Sequence, residues 1–169
     1  MSYGRFAAMI AVSTLVMLGL MYLNTYALGH VYFSQTRGWM ALLMGATMAV
    51  VMLAFMWTMY PSRGANIGIL VGSAIAFAAS LWLVRSQATV DDVAYMRAMI
   101  PHHSIAILTS ERAHIRDPRV RDLADRILGA QQREIAEMRG LIAALERDPT
   151  PPGAPDLPPA AAPRLATAR

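Results

Sequence analysis

The sequence has no cysteine and no lysine, and none of its eleven acidic residues occurs before Asp91. Without cysteine there is no disulfide framework and no thiolate metal site, so any soft-metal chemistry falls to methionine and histidine. All fifteen basic residues are arginine, and the first 84 residues hold only Arg5, Arg37 and Arg63. The net charge of +4 therefore divides into a sparsely basic first half and a nearly balanced second half, with no basic patch of the kind that nucleic acid requires. What remains is apolar: hydrophobic residues make up 56% of the chain, above the roughly 45 to 50% of soluble domains.

The apolar excess is concentrated in three uncharged runs, Phe6 to Leu23, Trp39 to Met59 and Ile67 to Val84. Each is near the ~17 to 25 residues that cross the hydrocarbon core. They predict a membrane region over residues 1–87 with spans at about 6–26, 39–60 and 66–84. The first run has one Arg before it and no Ala-x-Ala-like end, so it reads as a retained helix and not as a cleaved signal. Tyr22, Tyr26, Trp39, Trp57, Tyr60 and Trp82 sit near the run ends, where amphipathic rings favour the membrane interface. Three spans place the two termini on opposite sides of the bilayer.

Beyond Val84 the pattern changes. Thr89-Val-Asp-Asp92 resembles a capping box, predicting a helix to about Ile115. Asp117-Pro118 interrupts it, and Pro118 suits the first turn of a second helix reaching about Glu146. Residues 88–147 thus read as an antiparallel helical hairpin, making the whole chain all-α. Seven of the ten prolines lie in residues 148–169 with little to bury, which predicts a disordered Pro/Ala-rich tail.

Helical projection of the first hairpin helix puts Met96, Met99, His103, Ile107, Ser110 and His114 on one face, with Tyr95 and His102 at its edge. On the second, Val120, Leu123, Ile127, Ala130, Leu141 and Leu145 form an apolar stripe in which Gln131, Glu134 and Met138 are embedded. A turn centred near residue 117 sets Met99 level with Glu134, His103 with Gln131 and Met96 with Met138. Beside them Pro101 frees a backbone carbonyl. Imidazole with thioether sulfur points to copper, with Met96, Met99, His102, His103, Glu134 and Met138 as candidate ligands and Gln131 orienting them. The bland reading is that Met fills the core and each buried polar group has one hydrogen-bond partner. Glu111 and His114 match the Glu-x-x-His spacing of di-iron bundles, but their level on the second helix is near Asp122, well over a turn from Glu134, so the extra Glu of such a site is missing from that layer; a salt bridge to Arg is the ordinary role for Glu111. Met40, Met44, Met48, Met52 and Met56, followed by Met59, form a row on the second span that reads as helix packing or as a Met-lined path for Cu(I).

Two stretches, Tyr95-Met-Arg-Ala-Met-Ile-Pro-His-His103 and Ala130-Gln-Gln-Arg-Glu-Ile-Ala-Glu-Met138, resemble a bacterial family called domain of unknown function 305. The resemblance covers roughly Asp91 to Leu145. It implies a ferritin-like helical architecture, an exported or membrane-bound setting and, for some members, copper binding. It carries the same residues, Met96, Met99, His102, His103, Gln131, Glu134 and Met138. It also implies the bacterial inner membrane, with the hairpin on the extracytoplasmic side. Many relatives have two such units, whereas this chain has one.

The expected function is a non-catalytic, membrane-anchored metal-binding protein that buffers, senses or hands over copper. The alternative is an interaction module that oligomerises without metal. A lone hairpin leaves flanks exposed, so a homodimeric four-helix bundle, or docking of the hairpin on the membrane helices, is expected besides contact with the lipid bilayer.

Overall fold

The structure is a computed structural model and describes residues 2–157. Five α-helices account for most of them: α1 (Tyr3–Leu20), α2 (Gln35–Phe55), α3 (Arg63–Ser86), α4 (Asp92–Arg112) and α5 (Pro118–Arg147). The chain is all-α as the sequence implies, with three apolar helices followed by a packed pair. Helices α1 to α3 are each long and apolar enough to cross a membrane.

Polar side chains cap the helices as their sequences allow. Ser2, Ser34 and Ser62 accept the backbone N–H three residues on, at the starts of α1, α2 and α3. Asp91 caps α4 by accepting from the Ala94 N–H, two residues later than the Thr89 cap that the sequence suggests. Asp117 caps α5 ahead of Pro118, and its carboxyl is held below the usual range by Arg119, which bonds it through side chain and backbone. Gln87 ends α3 in the left-handed region (φ 54°), and its amide donates to the Val84 carbonyl.

Helix α2 is the centre of the apolar region, with α1 and α3 packed on either side of it. Its buried residues are small, Ala41, Gly45, Ala46 and Ala49, with Leu53 at the end. The buried residues of α3 are Asn66, Ser73 and Ser80, one every seven residues, which is the repeat of a helix seam. Asn66 is 1% exposed and fully occupied: its amide donates to the Tyr60 carbonyl and its Oδ1 accepts from the Tyr3 hydroxyl at 2.9 Å. Tyr3 and Phe6 both pack on Tyr60, tying the start of α1 to the α2–α3 connection. At the other end Arg37 stacks on the Tyr22 ring and donates to the Met21 carbonyl, tying the end of α1 to the start of α2. The methionine row flanks the buried row of α2; Met52 and Met56 pack against the Phe6–Tyr60 cluster.

Helix α1 ends at Leu20, several residues before the expected boundary. In the connection that follows, Tyr26, Gly29, His30 and Tyr32 contact the hairpin. That pair, α4 and α5, is held by Met96, Ile100, Ile107, Ile135, Met138 and Ile142. Arg97 pairs with Glu146 at one end of the hairpin, and Arg121 donates to the Ser110 carbonyl at the other. Of the stripe expected on α5, Val120, Leu123, Ile127 and Leu141 are exposed; the buried row is one position over, at Ala124, Ile135, Met138 and Ile142. Residues 148–157 have no regular structure, and Thr150 donates to Asp92. The rest of the expected disordered tail, 158–169, lies outside the described residues.

At Gly45 α1 lies close on α2: a Cβ there would run into the Thr14 hydroxyl and lie 3.4 Å from its Cβ. Thr is β-branched and stiff, so it has little room to turn aside. Gly45→Ala is expected to cost about 1 to 3 kcal/mol, read as a lower melting temperature in detergent. Adding Thr14→Ala should restore most of that loss.

Candidate functional site

The α4–α5 pair presents two flanks, and the α1–α2 connection covers one of them. Ser104 is wholly buried on α4, and its Oγ accepts the Tyr26 backbone N–H at 2.7 Å and bonds His30 Nδ1 at 2.9 Å. From α5, Arg139 donates to the Gly29 carbonyl. Tyr32 packs on the hairpin core, and the Glu111 carboxylate near the Tyr26 hydroxyl raises the phenol above its ordinary pKa. Among the described residues Glu111 makes no salt bridge to an arginine. His30 is pushed below the ordinary imidazole range by burial and by the Arg139 charge. Sequence reasoning missed this contact; its marks in the sequence are His30 in a short connection and Ser104 among the apolar residues of α4.

The other flank holds a groove of about 1010 Å³ between α4 and α5, lined by Met96, His103, Glu134 and Met138 and walled at one end by Val90 and Asp92 near the start of α4 and by Thr150 and Pro151 from the segment after α5. Met96 and Met138 are buried at 6% and 9% exposure, and their side chains join the hairpin core. The His103 side chain is 14% exposed, and its Nδ1 stands 3.1 Å from Glu134 Oε2. The carboxylate lies off the direction of a ring N–H, so this is a close approach that becomes an ion pair only when the ring is protonated, and among the described residues the buried Nδ1 has no hydrogen bond. Burial lowers the His103 pKa most; Glu134 opposes that and His102 adds to it. The imidazole is therefore neutral at pH 7.

Four of the expected ligands line this one groove, and His103 and Glu134 meet in a register that differs from the expected one. Glu134 comes opposite His103 instead of Met99, because α4 stops at Arg112 and five residues cross to α5 outside either helix. Met99 is half-buried against the hairpin core, outside the groove lining. His102 is exposed, with its ring centre 6.3 Å from that of His103. Gln131 is half-buried and, among the described residues, makes no hydrogen bond through its amide. His114 lies beyond the end of α4, so Glu111 and His114 share no helix face and the di-iron spacing is not realised. Among the described residues no three His, Asp or Glu side chains converge as a metal-holding group.

A lowered imidazole pKa has a defined sign for stability. Above pH 6.5, the ordinary His value, both folded and unfolded rings are neutral and the contribution is fully present. It is lost as pH falls through the lower folded pKa. The His103 ring signals in NMR are expected to titrate below 6.5, and Glu134→Gln should shift the midpoint lower still by removing the one charge that favours the imidazolium. A midpoint above 6.5 would overturn the burial argument.

Residues 92–167 match the family model described as Domain of unknown function (DUF305). An uncharacterized protein of Acanthamoeba polyphaga mimivirus is 42% identical over 64 residues, which cover 37% of this chain and 42% of that relative. The chain therefore spans less than half the length of the curated relative that it matches. No solved structure matches.

Proposed function

We propose that this chain, a DUF305 domain carried on three apolar helices, is an integral membrane protein that binds copper in the α4–α5 groove. The observation that carries the reading is the meeting of Met96, His103, Glu134 and Met138 in one groove, with a buried His103 Nδ1 that has no hydrogen bond among the described residues. Two thioethers, one imidazole and one carboxylate make a soft, mixed donor set. Thioether sulfur favours Cu(I), whereas zinc, calcium or magnesium sites want more nitrogen, thiolate or oxygen donors than converge here.

The residues divide the work. His103, neutral at pH 7, offers an imidazole nitrogen without first losing a proton. Met96 and Met138 offer sulfur from the core side. Glu134, half-exposed, adds charge at the mouth and orients the ring. The ion is cargo or signal, and the protein is a buffer, sensor or handover site with no catalytic step. Met99, His102 and Gln131 lie outside the groove lining. The family resemblance favours a bacterial inner membrane with the hairpin on the extracytoplasmic side.

A second reading, an assembly module without metal, draws on the exposed row Val120, Leu123, Ile127 and Leu141 of α5. These positions fall three, four and fourteen residues apart, as on the seam of a helix bundle, and a second hairpin would cover them in a homodimer.

Titration of the full chain in detergent separates the two. The expected result is stoichiometric Cu(I) binding that is level from pH 8 to about 6.5 and weakens below it as His103 takes up a proton. His103→Ala and the pair Met96→Leu with Met138→Leu should each weaken it at least tenfold. Replacing His103 and Glu134 together by Leu should abolish binding yet leave assembly intact. Folded protein that takes up no Cu(I) would leave the assembly reading standing alone.

A further inference from the structure

In the apolar region α1 and α3 both pack on α2 but hardly touch each other, which leaves a groove of about 730 Å³ between them. Small residues line it on all three helices, Ala7 and Ala11 on α1, Gly45 and Ala46 on α2 and Gly72 and Ala76 on α3, between the bulkier Phe6, Ile10 and Leu15 of α1 and Ile69 of α3. Ser73 also lines it. That residue is 8% exposed, and its hydroxyl has no hydrogen bond among the described residues. A further row, Gly64, Gly68 and Gly72, runs along α3, and at each of the three an added Cβ would meet nothing within 4 Å. This face of α3 is therefore unused by the chain's own packing.

We propose that the groove receives α3 of a second copy, giving a parallel pair of α3 helices about a twofold axis along the membrane normal. A hydroxyl in hydrocarbon needs an acceptor. A lipid tail has none, whereas a neighbouring helix offers backbone carbonyls to a serine that approaches closely. Residues of Gly or Ala size every fourth position are what allows two helix backbones that approach in a membrane. Two copies inserted in one membrane share one orientation, so their α3 helices run parallel. The α3 face that forms the wall of the groove is also the face that enters the partner's groove, which makes the contact self-complementary and closed at two copies. The inference rests on the membrane placement of α1 to α3 and is independent of copper.

The absence of cysteine makes the test direct, since any introduced thiol is unique in the chain. Ala76→Cys places it on the groove face of α3, and Ala78→Cys places it about 200° round the same helix. In membranes holding the full chain, oxidation should give a covalent dimer with Ala76→Cys and none with Ala78→Cys. Adding Gly72→Leu to Ala76→Cys should reduce that dimer at least tenfold, while the matched bulk of Ala78→Leu leaves it unchanged. Membrane-embedded protein that stays monomeric with Ala76→Cys, or that cross-links equally at both positions, overturns the proposal. Recovery of the chain in the soluble fraction overturns the membrane placement itself.

Discussion

A wholly buried hydroxyl must have partners, and for Ser104 both come from a part of the chain more than seventy residues earlier. That requirement makes one body of what would otherwise be an apolar bundle with a hairpin tethered to it. The backbone N–H of Tyr26 and the ring of His30 are fixed by it, and Arg139 adds to the contact from α5 through the Gly29 carbonyl. Because the loop occupies this flank, the methionines, His103 and Glu134 gather on the opposite one. The asymmetry of the hairpin, covered by the loop on one side and grooved on the other, follows from where that serine lies in α4.

The architecture was readable in the sequence because charge and proline mark its divisions. The long uncharged runs, the Asp and Arg that begin after them, and Asp117-Pro118 locate five helices. Boundaries were readable only where a cap was unambiguous. The Tyr22 to Tyr26 segment looked like an interfacial end of the first span; the structure uses those tyrosines to hold the loop, with the Tyr22 hydroxyl on the Ser34 N–H and Tyr26 on Ser104. No helical period predicts such a role, because it depends on a partner far along the chain.

The candidate site was legible as a set of residues but not as a geometry. Apolar residues occupy two adjacent rows of α5, and a projection of one helix cannot choose which row its neighbour covers. The row with Ile135, Met138 and Ile142 is buried, which turns Glu134 to the edge of the pair and sets it against His103. The seam of α3 was missed for a simpler reason. Asn66, Ser73 and Ser80 are few among apolar neighbours, and their seven-residue repeat carries meaning only against the small residues of α2.

The tie between Ser104 and the α1–α2 connection also couples the hairpin mechanically to the apolar helices. The groove therefore cannot swing free of them: any movement of the α1–α2 connection carries α4 with it, and with α4 the adjacent residue His103.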